Sequence, residues 1–329
     1  MNERTRLLGG SGIEVSALGM GCWAIGGPLW HGDEPLGWGE VDDDESIRAI
    51  RTALDLGVTF FDTANVYGAG HSERILGRGL GDRRDEVVIA TKFSNLFDEG
   101  TRQVTGSSAE PASVRQQCHD SLERLGTDYI DLYLFHDNGY PPEQAAPVRD
   151  TLEDLVDSGE IRAYGWSTDS AERATVFAEG EKCAAIEHEL NVLSDAPEVL
   201  GVCDRYDLAS INRGPLAMGL LTGKYSAATE LTGADVRGRK APEWMQYFTD
   251  GRPDAAWLER VASVRDILTT GGRTLAQGSL AWLWARSPHT IPIPGFRTVG
   301  QVQENAAALA HGRLDADEMA DIDRLLGRT

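Results

Sequence analysis

Asp62, Lys92 and His136 each stand directly after a run of apolar residues that predicts a buried β-strand. Tyr67 follows in the loop after Asp62. A charged side chain next to a buried strand is costly unless it is paired or functional. Taken singly, Asp62 could cap a turn, Lys92 could pair with an acid and His136 could be a hydrogen-bonded core residue. Brought together at one place, the four side chains could exchange protons with a bound substrate.

The elements that must position these side chains are predicted from the spacing of apolar residues. A hairpin is predicted over 4–15, around the glycine-rich turn 9–12. Buried strands are then predicted at 17–21, 58–61, 86–91, 129–135, 161–166, 184–187, 208–211 and 290–293. Helices with one apolar face are predicted at 42–56, 71–80, 111–125, 147–157, 171–179, 197–206, 275–286, 299–310 and 315–326.

Eight strands that alternate with helices predict a parallel sheet closed into a (β/α)8 TIM barrel, an α/β fold. Such a barrel takes roughly 250 residues and tolerates insertions, so a single domain over 1–329 is expected. A doubly wound sheet is the alternative. It would favour a GxGxxG motif after the first strand, and the glycines there do not have that spacing.

Three connections after strands are long, at 26–41, 93–110 and 217–251. Loops that follow the strands of such a barrel form its active face, so these three are expected to act as lids or specificity walls. A disordered segment is the alternative for 217–251.

The composition is that of a soluble globular protein, with 41% hydrophobic and 25% charged residues. The 52 acidic residues outnumber the 31 Lys and Arg, and a net charge of −21 argues against nucleic acid and anionic membranes as partners. The four cysteines form no CxxC pair, and no metal site is expected. With no apolar signal segment at the N-terminus, a cytoplasmic location is expected.

Several motifs resemble those of the aldo-keto reductase family. They occur in the family's order over nearly the whole chain, at 62–68, 72–73, 76–77, 90–92, 121–136, 159–167, 215–217, 219–224 and 293–295. The resemblance implies the same barrel fold and an NADP(H)-dependent reduction of aldehydes or ketones, with alcohol oxidation as the reverse reaction.

The family's catalytic tetrad maps onto Asp62, Tyr67, Lys92 and His136. Tyr67 would be the proton donor, although a free tyrosine has a pKa of about 10. A nearby Lys92 cation would lower that pKa, and Asp62 would keep Lys92 charged and oriented. His136 would orient the substrate carbonyl and donate a hydrogen bond to its oxygen.

The resemblance also implies which residues contact the cofactor and the substrate. The nicotinamide and its ribose would be bordered by Gly21, Cys22, Trp23 and Asp62, and the carboxamide held by Ser167. The pyrophosphate loop would contain Gly214, Pro215, Leu216, Gly219 and Leu220. The adenosine site would contain Gly295, Arg297, Gln301, Glu304 and Asn305. The substrate would contact Trp23, Trp30, Tyr67 and His136.

Arg297 offers a planar fork of donors for the 2′-phosphate, which favours NADPH over NADH. Backbone amides at the start of the helix that follows it also suit a phosphate. The alternative is that Arg297 is a solvated charge at a helix end.

Three cofactor positions depart from the family pattern. Thr168 stands where an asparagine is usual, Glu187 where a glutamine is frequent, and Arg213 where an aromatic ring often stacks on the nicotinamide. We expect Glu187 and Arg213 to pair beneath that ring, since an unpaired arginine would repel the oxidised nicotinamide. The alternative is that Arg213 points to solvent or to phosphate.

Two other functions remain open from the sequence. A nicotinamide-bound regulatory subunit, like the β subunits of voltage-gated potassium channels, would have the same fold with little turnover. A metal-dependent barrel hydrolase would need histidine and carboxylate ligands on several strands, and only seven histidines occur. Trp23, Trp30, Trp38 and Tyr140 are candidates to line a pocket that suits sugars, aromatic aldehydes or small ketones, so the substrate stays open. The reaction direction and the oligomeric state stay open as well.

Overall fold

The computed structural model describes residues 4–231, 233 and 235–328. Its strands are β1 (Thr5–Leu7), β2 (Glu14–Ser16), β3 (Gly19–Gly21), β4 (Trp30–His31), β5 (Glu34–Pro35), β6 (Phe60–Asp62), β7 (Val88–Phe93), β8 (Asn95–Asp98), β9 (Gln103–Ser107), β10 (Ile130–Phe135), β11 (Ile161–Ser167), β12 (Cys183–Glu189), β13 (Ala209–Arg213), β14 (Phe248–Thr249), β15 (Arg252–Pro253) and β16 (Thr290–Pro292). Its α-helices are α1 (Asp43–Asp55), α2 (His71–Leu80), α3 (Pro111–Leu125), α4 (Ala146–Asp157), α5 (Ala171–Ala178), α6 (Pro197–Tyr206), α7 (Ala255–Leu268), α8 (Leu275–Arg286), α9 (Val299–Ala307) and α10 (Ala316–Leu325).

Eight of the strands form one parallel sheet, in the order β3, β6, β7, β10, β11, β12, β13 and β16. A backbone bridge between Gly21 and Gly295 joins the two edge strands, and the Gly21 amide donates to the carbonyl of Pro294 at 3.1 Å. A Cβ atom on Gly21 would lie 2.7 Å from the carbonyl oxygen of Ile293, so the contact between the two edge strands requires a glycine at this position. The predicted (β/α)8 barrel is confirmed.

The hairpin of β1 and β2 is also confirmed, and it covers one end of the barrel. Leu8, Ile13 and Val15 are buried with interior residues of the barrel strands, among them Phe60 and Leu132. Because this apolar plug sits at the start of the strands, the polar residues at the carboxyl ends of the strands are gathered at the opposite mouth.

Most predicted helices and strands are found within a few residues of their predicted bounds. Helix α7 was not predicted, although Asp254 caps it by accepting hydrogen bonds from the amides of Ala256 and Trp257, a recognisable helix start. The helix predicted to run to residue 310 ends at Ala307 and continues as a 3₁₀ turn over Ala308–Ala310.

Two of the long loops pair with each other. Strands β5, β4, β9 and β8 form a four-stranded sheet beside the barrel mouth, in which Trp30 of β4 is registered with Gln103 of β9. Such pairing between segments distant in sequence leaves no local periodicity to predict it.

The described part of segment 217–251 packs against the barrel, rather than being disordered. Tyr247 and Phe248 are buried, and Arg237 lies with its guanidinium 4.4 Å from the ring centroid of Trp38. Arg237 also pairs with Asp235 at 2.7 Å. Within the described residues, every helix is too short or too polar to cross a lipid bilayer.

Candidate active site

Lys92 is the centre of the polar cluster at the mouth of the barrel. From the end of β7 its Nζ atom contacts Asp62 Oδ1 at 2.5 Å, Glu187 Oε2 at 3.2 Å and the Tyr67 hydroxyl at 3.3 Å. The side chain is fully buried. Burial alone would lower the pKa of Lys92, but the charges of Asp62 and Glu187 outweigh burial and raise it. The ammonium therefore stays protonated at neutral pH.

The phenol of Tyr67 lies over this ammonium and beside an imidazole. The ring centroids of Tyr67 and His136 are 5.9 Å apart and nearly perpendicular. Burial raises the pKa of Tyr67 well above that of a free tyrosine, and Lys92 opposes this only in part. Lys92 lowers the pKa as expected, but the net shift is the reverse of the one expected from sequence, because burial outweighs the cation and Asp62 and Glu187 add to the effect of burial.

His136 is uncharged at neutral pH. Burial and the nearby charges of Lys92 and Arg213 lower its pKa well below the ordinary value. Its Nδ1 atom is buried and lacks a hydrogen-bond partner among the described residues. The imidazole therefore has hydrogen-bonding capacity that the protein does not use itself.

A tight turn holds Tyr67 in place. Gly68, Ala69 and Gly70 have φ values of +62°, +56° and +84°. A Cβ atom on Gly68 would lie 1.8 Å from the carbonyl oxygen of Gly26, so only glycine fits after Tyr67. The ring of Trp23 stacks on Tyr67 from the other side, with centroids 6.0 Å apart. Close packing thus fixes the phenol at the mouth.

Residues 214–220 form an irregular turn after β13. Gly214, Ala217, Met218 and Gly219 all have positive φ values, of 60°, 47°, 53° and 96°. Two of these are not glycine, and such backbone is costly unless a function requires it. The amides of Ala217 and Gly219 donate to the carbonyl oxygens of Gly214 and Leu216, at 2.9 and 2.8 Å, and so hold the turn in this conformation.

The predicted adenosine end lies at the start of α9. Thr298 caps the helix by accepting from the Gln301 amide, and the Gln301 side chain accepts from the Arg297 amide at 2.7 Å. The Arg297 guanidinium donates to the carbonyl oxygens of Trp38 and Glu40. The Val299 amide at the start of α9 donates to Glu45 Oε1 at 2.8 Å, so a carboxylate already lies at this helix start.

Residues 17–326 match the model of the Aldo/keto reductase family. The chain belongs to the aldo-keto reductase family. The family uses NADP(H), and solved structures from Klebsiella pneumoniae hold NADP with acetate, or NADPH.

Curated relatives cover almost the whole chain. It is 32% identical over 326 residues to Aldo-keto reductase YhdN of Bacillus subtilis, covering 97% of this chain and 92% of that protein. It is 31% identical to Aldo-keto reductase yakc [NADP(+)] of Schizosaccharomyces pombe, covering 94% and 87%. Among solved structures, the glycerol dehydrogenase AKR11B4 from Gluconobacter oxydans is 30% identical with a TM-score of 0.81, covering 100% of this chain and 96% of that one. The Klebsiella pneumoniae enzyme with NADP and acetate is 27% identical with a TM-score of 0.71, covering 98% and 95%.

The expected pairing of Glu187 with Arg213 in this aldo-keto reductase is wrong. Arg213 pairs with Asp169 and lies 3.9 Å from Glu189 Oε2, while Glu187 contacts Lys92 and accepts from the Ser167 hydroxyl at 3.1 Å. The strand register explains the difference, because Arg213 of β13 stands opposite Glu189 of β12, and Glu187 stands opposite Ile211.

Cys22 and Thr168, which were predicted to contact the cofactor, directly follow β3 and β11. The Cys22 amide donates to the Asp62 carbonyl at 2.7 Å, which joins the first two strand ends. The Thr168 hydroxyl donates to Asn138 Oδ1 at 2.9 Å, so the residue that replaces the usual asparagine binds within the protein. Glu304 and Asn305 lie on α9, and Asn305 is buried.

Two contacts at the mouth were missed from the sequence. Trp244, 56% exposed, comes from the long segment 217–251 and lies 6.2 Å from Trp23 between ring centroids. The Tyr247 hydroxyl bonds to Glu189 and so ties the same segment to the barrel rim.

Trp30, predicted to touch substrate, lies in the four-stranded sheet and stacks on no ring of the described residues. An aromatic residue in a predicted lid was the available signal for Trp244.

Proposed function

We propose that this aldo-keto reductase reduces an aldehyde or ketone with NADPH, and oxidises the alcohol in reverse, with Tyr67 as general acid and base. The observation that carries the proposal is the meeting of four side chains at the mouth of the barrel, where Asp62 and Lys92 are buried and Tyr67 and His136 are partly exposed. A proton donor, a cation beside it and a neutral imidazole are what carbonyl reduction requires.

The residues present fit the cofactor. Ser167, with its hydroxyl beside Glu187, would hold the carboxamide, and the irregular turn 214–220 would wrap the pyrophosphate. Arg297, which stands just before α9, would hold the 2′-phosphate. When bound, NADPH supplies the hydride that reduces the carbonyl carbon.

The chain's own residues then handle the oxygen. The Tyr67 hydroxyl donates its proton to the carbonyl oxygen, and Lys92 stabilises the phenolate that remains, since its ammonium contacts the phenol oxygen. Asp62 orients Lys92 through their 2.5 Å contact. His136, neutral and with a buried ring nitrogen free of protein partners among the described residues, donates to or orients the same oxygen.

The substrate surface is aromatic. The rings of Trp23 and Trp244 lie at the entrance, and Trp38 packs edge-on against Trp23 at 5.3 Å. Such a surface fits a flat or apolar carbonyl compound, or the apolar face of a sugar.

The test is NADPH oxidation with a panel of aldehydes, ketones and keto-sugars. We expect turnover with part of the panel, and its loss in Tyr67→Phe with NADPH binding retained. Tight NADPH binding without turnover on any carbonyl would instead support a regulatory subunit. Full activity of Tyr67→Phe would overturn the assigned proton donor.

A further inference from the structure

Two buried carboxyl groups share a single ammonium in the catalytic cluster. Lys92 Nζ lies 2.5 Å from Asp62 Oδ1 and 3.2 Å from Glu187 Oε2. The exposed fractions are 0% for Lys92, 2% for Asp62 and 1% for Glu187. Asp62 and Lys92 belong to the family's tetrad, but Glu187 adds a second acid that the chemistry of carbonyl reduction does not require.

The charged groups around this pair do not supply a second cation. The ionisable groups that face it from neighbouring elements are Cys22, Tyr67, His136, His188 and Arg213. Burial raises the pKa of the Cys22 thiol and of Tyr67, so both stay uncharged. Burial lowers the pKa of His188 to about 4, and His136 is neutral as well.

Arg213 is the remaining cation, and it is already matched. Its guanidinium pairs with Asp169 and approaches Glu189, both of which stand nearer the rim. With Asp62 and Glu187 both ionised, the buried cluster would therefore hold one negative charge in excess. Like charges that share a low-dielectric site bind a proton between them.

We propose that Asp62 and Glu187 together hold one proton in the cofactor-free enzyme at neutral pH, and release it to solvent when NADP+ binds. The release follows because the oxidised nicotinamide brings a positive charge beside Ser167, whose hydroxyl bonds to Glu187. One O–H bond of a carboxyl group breaks, and its proton passes to buffer. The inference rests on the proposed function, since it requires a nicotinamide next to Ser167.

The acidity of Asp62 agrees with this arrangement. Burial is the largest cause that raises the pKa of Asp62, followed by the charge of Glu187, and Lys92 opposes both. Because both carboxyl groups contact the same ammonium, the proton belongs to the pair rather than to one oxygen. As a consequence, the affinity for NADP+ rises with pH, by up to about tenfold per pH unit. The affinity for NADPH does not depend on the protonation of Asp62 and Glu187 in this way.

The test measures protons released on cofactor binding, by calorimetry at neutral pH in buffers of different ionisation enthalpy. Ionisation of the cofactor's own 2′-phosphate contributes equally to the binding of NADP+ and of NADPH. The difference in the number of protons released by the two cofactors therefore reports the effect of the charge on the nicotinamide ring. We expect wild-type enzyme to release close to one proton more with NADP+ than with NADPH. Glu187→Gln removes this difference.

Glu189→Gln is the matched control. It removes a carboxylate two positions along the same strand, one that contacts Arg213 and Tyr247 but is not a partner of Lys92. The control keeps the proton difference. An equal difference in wild type and Glu187→Gln overturns the inference, whereas failure of the wild type to bind either cofactor overturns the proposed function itself.

Infrared difference spectroscopy gives a readout that needs no variant. In wild type, adding NADP+ abolishes the carbonyl band of a protonated carboxyl group, identified by its shift in D2O, and adding NADPH leaves it. A spectrum with no such band before NADP+ is added overturns the inference.

Discussion

The phenol oxygen of Tyr67 lies 3.3 Å from the ammonium of Lys92, yet the pKa of Tyr67 is raised, not lowered. Desolvation of the phenol is the largest cause. The charge of Lys92, which would lower the pKa, is matched by Asp62 and by Glu187. The tyrosine is therefore kept protonated across the neutral pH range.

Replacing Tyr67 with Phe removes the proton donor while keeping the ring that stacks on Trp23. We expect kcat for carbonyl reduction to fall about 10²- to 10⁴-fold, the usual contribution of a general acid. NADPH affinity, followed by quenching of tryptophan fluorescence, should stay unchanged. Tyr206→Phe, at the end of α6, is the control and should keep full activity.

The two reaction directions should differ in their dependence on pH. Carbonyl reduction needs the protonated phenol, and a raised pKa keeps Tyr67 protonated across the neutral range, so its kcat/KM should stay level well into alkaline pH. Alcohol oxidation needs the phenolate, so its kcat/KM should rise with pH over the same range. Initial rates in both directions at a series of pH values measure this. A reduction rate that falls near neutrality would contradict it.

Trp244 should contribute to substrate binding more than Trp30 does. Truncating Trp244 to Ala removes a ring next to Trp23, and one aromatic contact is worth about 1 kcal/mol. We expect KM for an aromatic carbonyl to rise roughly fivefold, with NADPH affinity unchanged. Trp30→Ala, in the four-stranded sheet, is the comparison, and a larger KM effect there would place the substrate on the other side of the mouth.

Arg297 should set the preference for NADPH over NADH. Its guanidinium is held just before α9 by the carbonyl oxygens of Trp38 and Glu40, and we propose that it binds the 2′-phosphate there. Arg297→Gln should weaken NADPH binding by about 1.5–3 kcal/mol, the value of a hydrogen bond to a charged group, and NADH binding much less. Equal losses for the two cofactors would show that Arg297 does not bind the phosphate.

Glu73 should be a stability residue rather than a catalytic one. It is fully buried on α2, where it accepts from the Thr91 hydroxyl at 2.6 Å and pairs with Arg124 at 2.6 Å. Glu73→Gln leaves Arg124 without its buried carboxylate partner, and breaking such a pair costs about 3–5 kcal/mol of unfolding free energy. Urea unfolding measures this. The pair of Arg48 with Glu45 at the surface is the contrast, since Arg48→Gln should leave the urea midpoint almost unchanged.

Local sequence patterns predicted much of this protein. Apolar runs and helical spacing predicted the eight strands of the barrel, because each strand is buried on both faces and each helix on one. The order of Asp62, Tyr67, Lys92 and His136 along those strands predicted their meeting, since parallel strands end at one mouth.

Contacts that depend on register and on distant loops were decided only by the tertiary structure. The register of β12 and β13 places Arg213 beside Glu189, so Glu187 is free to contact Lys92. The expected partner of Arg213, Glu187, lies only two residues before Glu189 on the same strand. Trp244 reaches Trp23 through a long segment whose path depends on packing against the barrel. A sequence pattern shows which face of a segment is buried. The contacts of each side chain depend on the other segments that lie beside it once the barrel has closed.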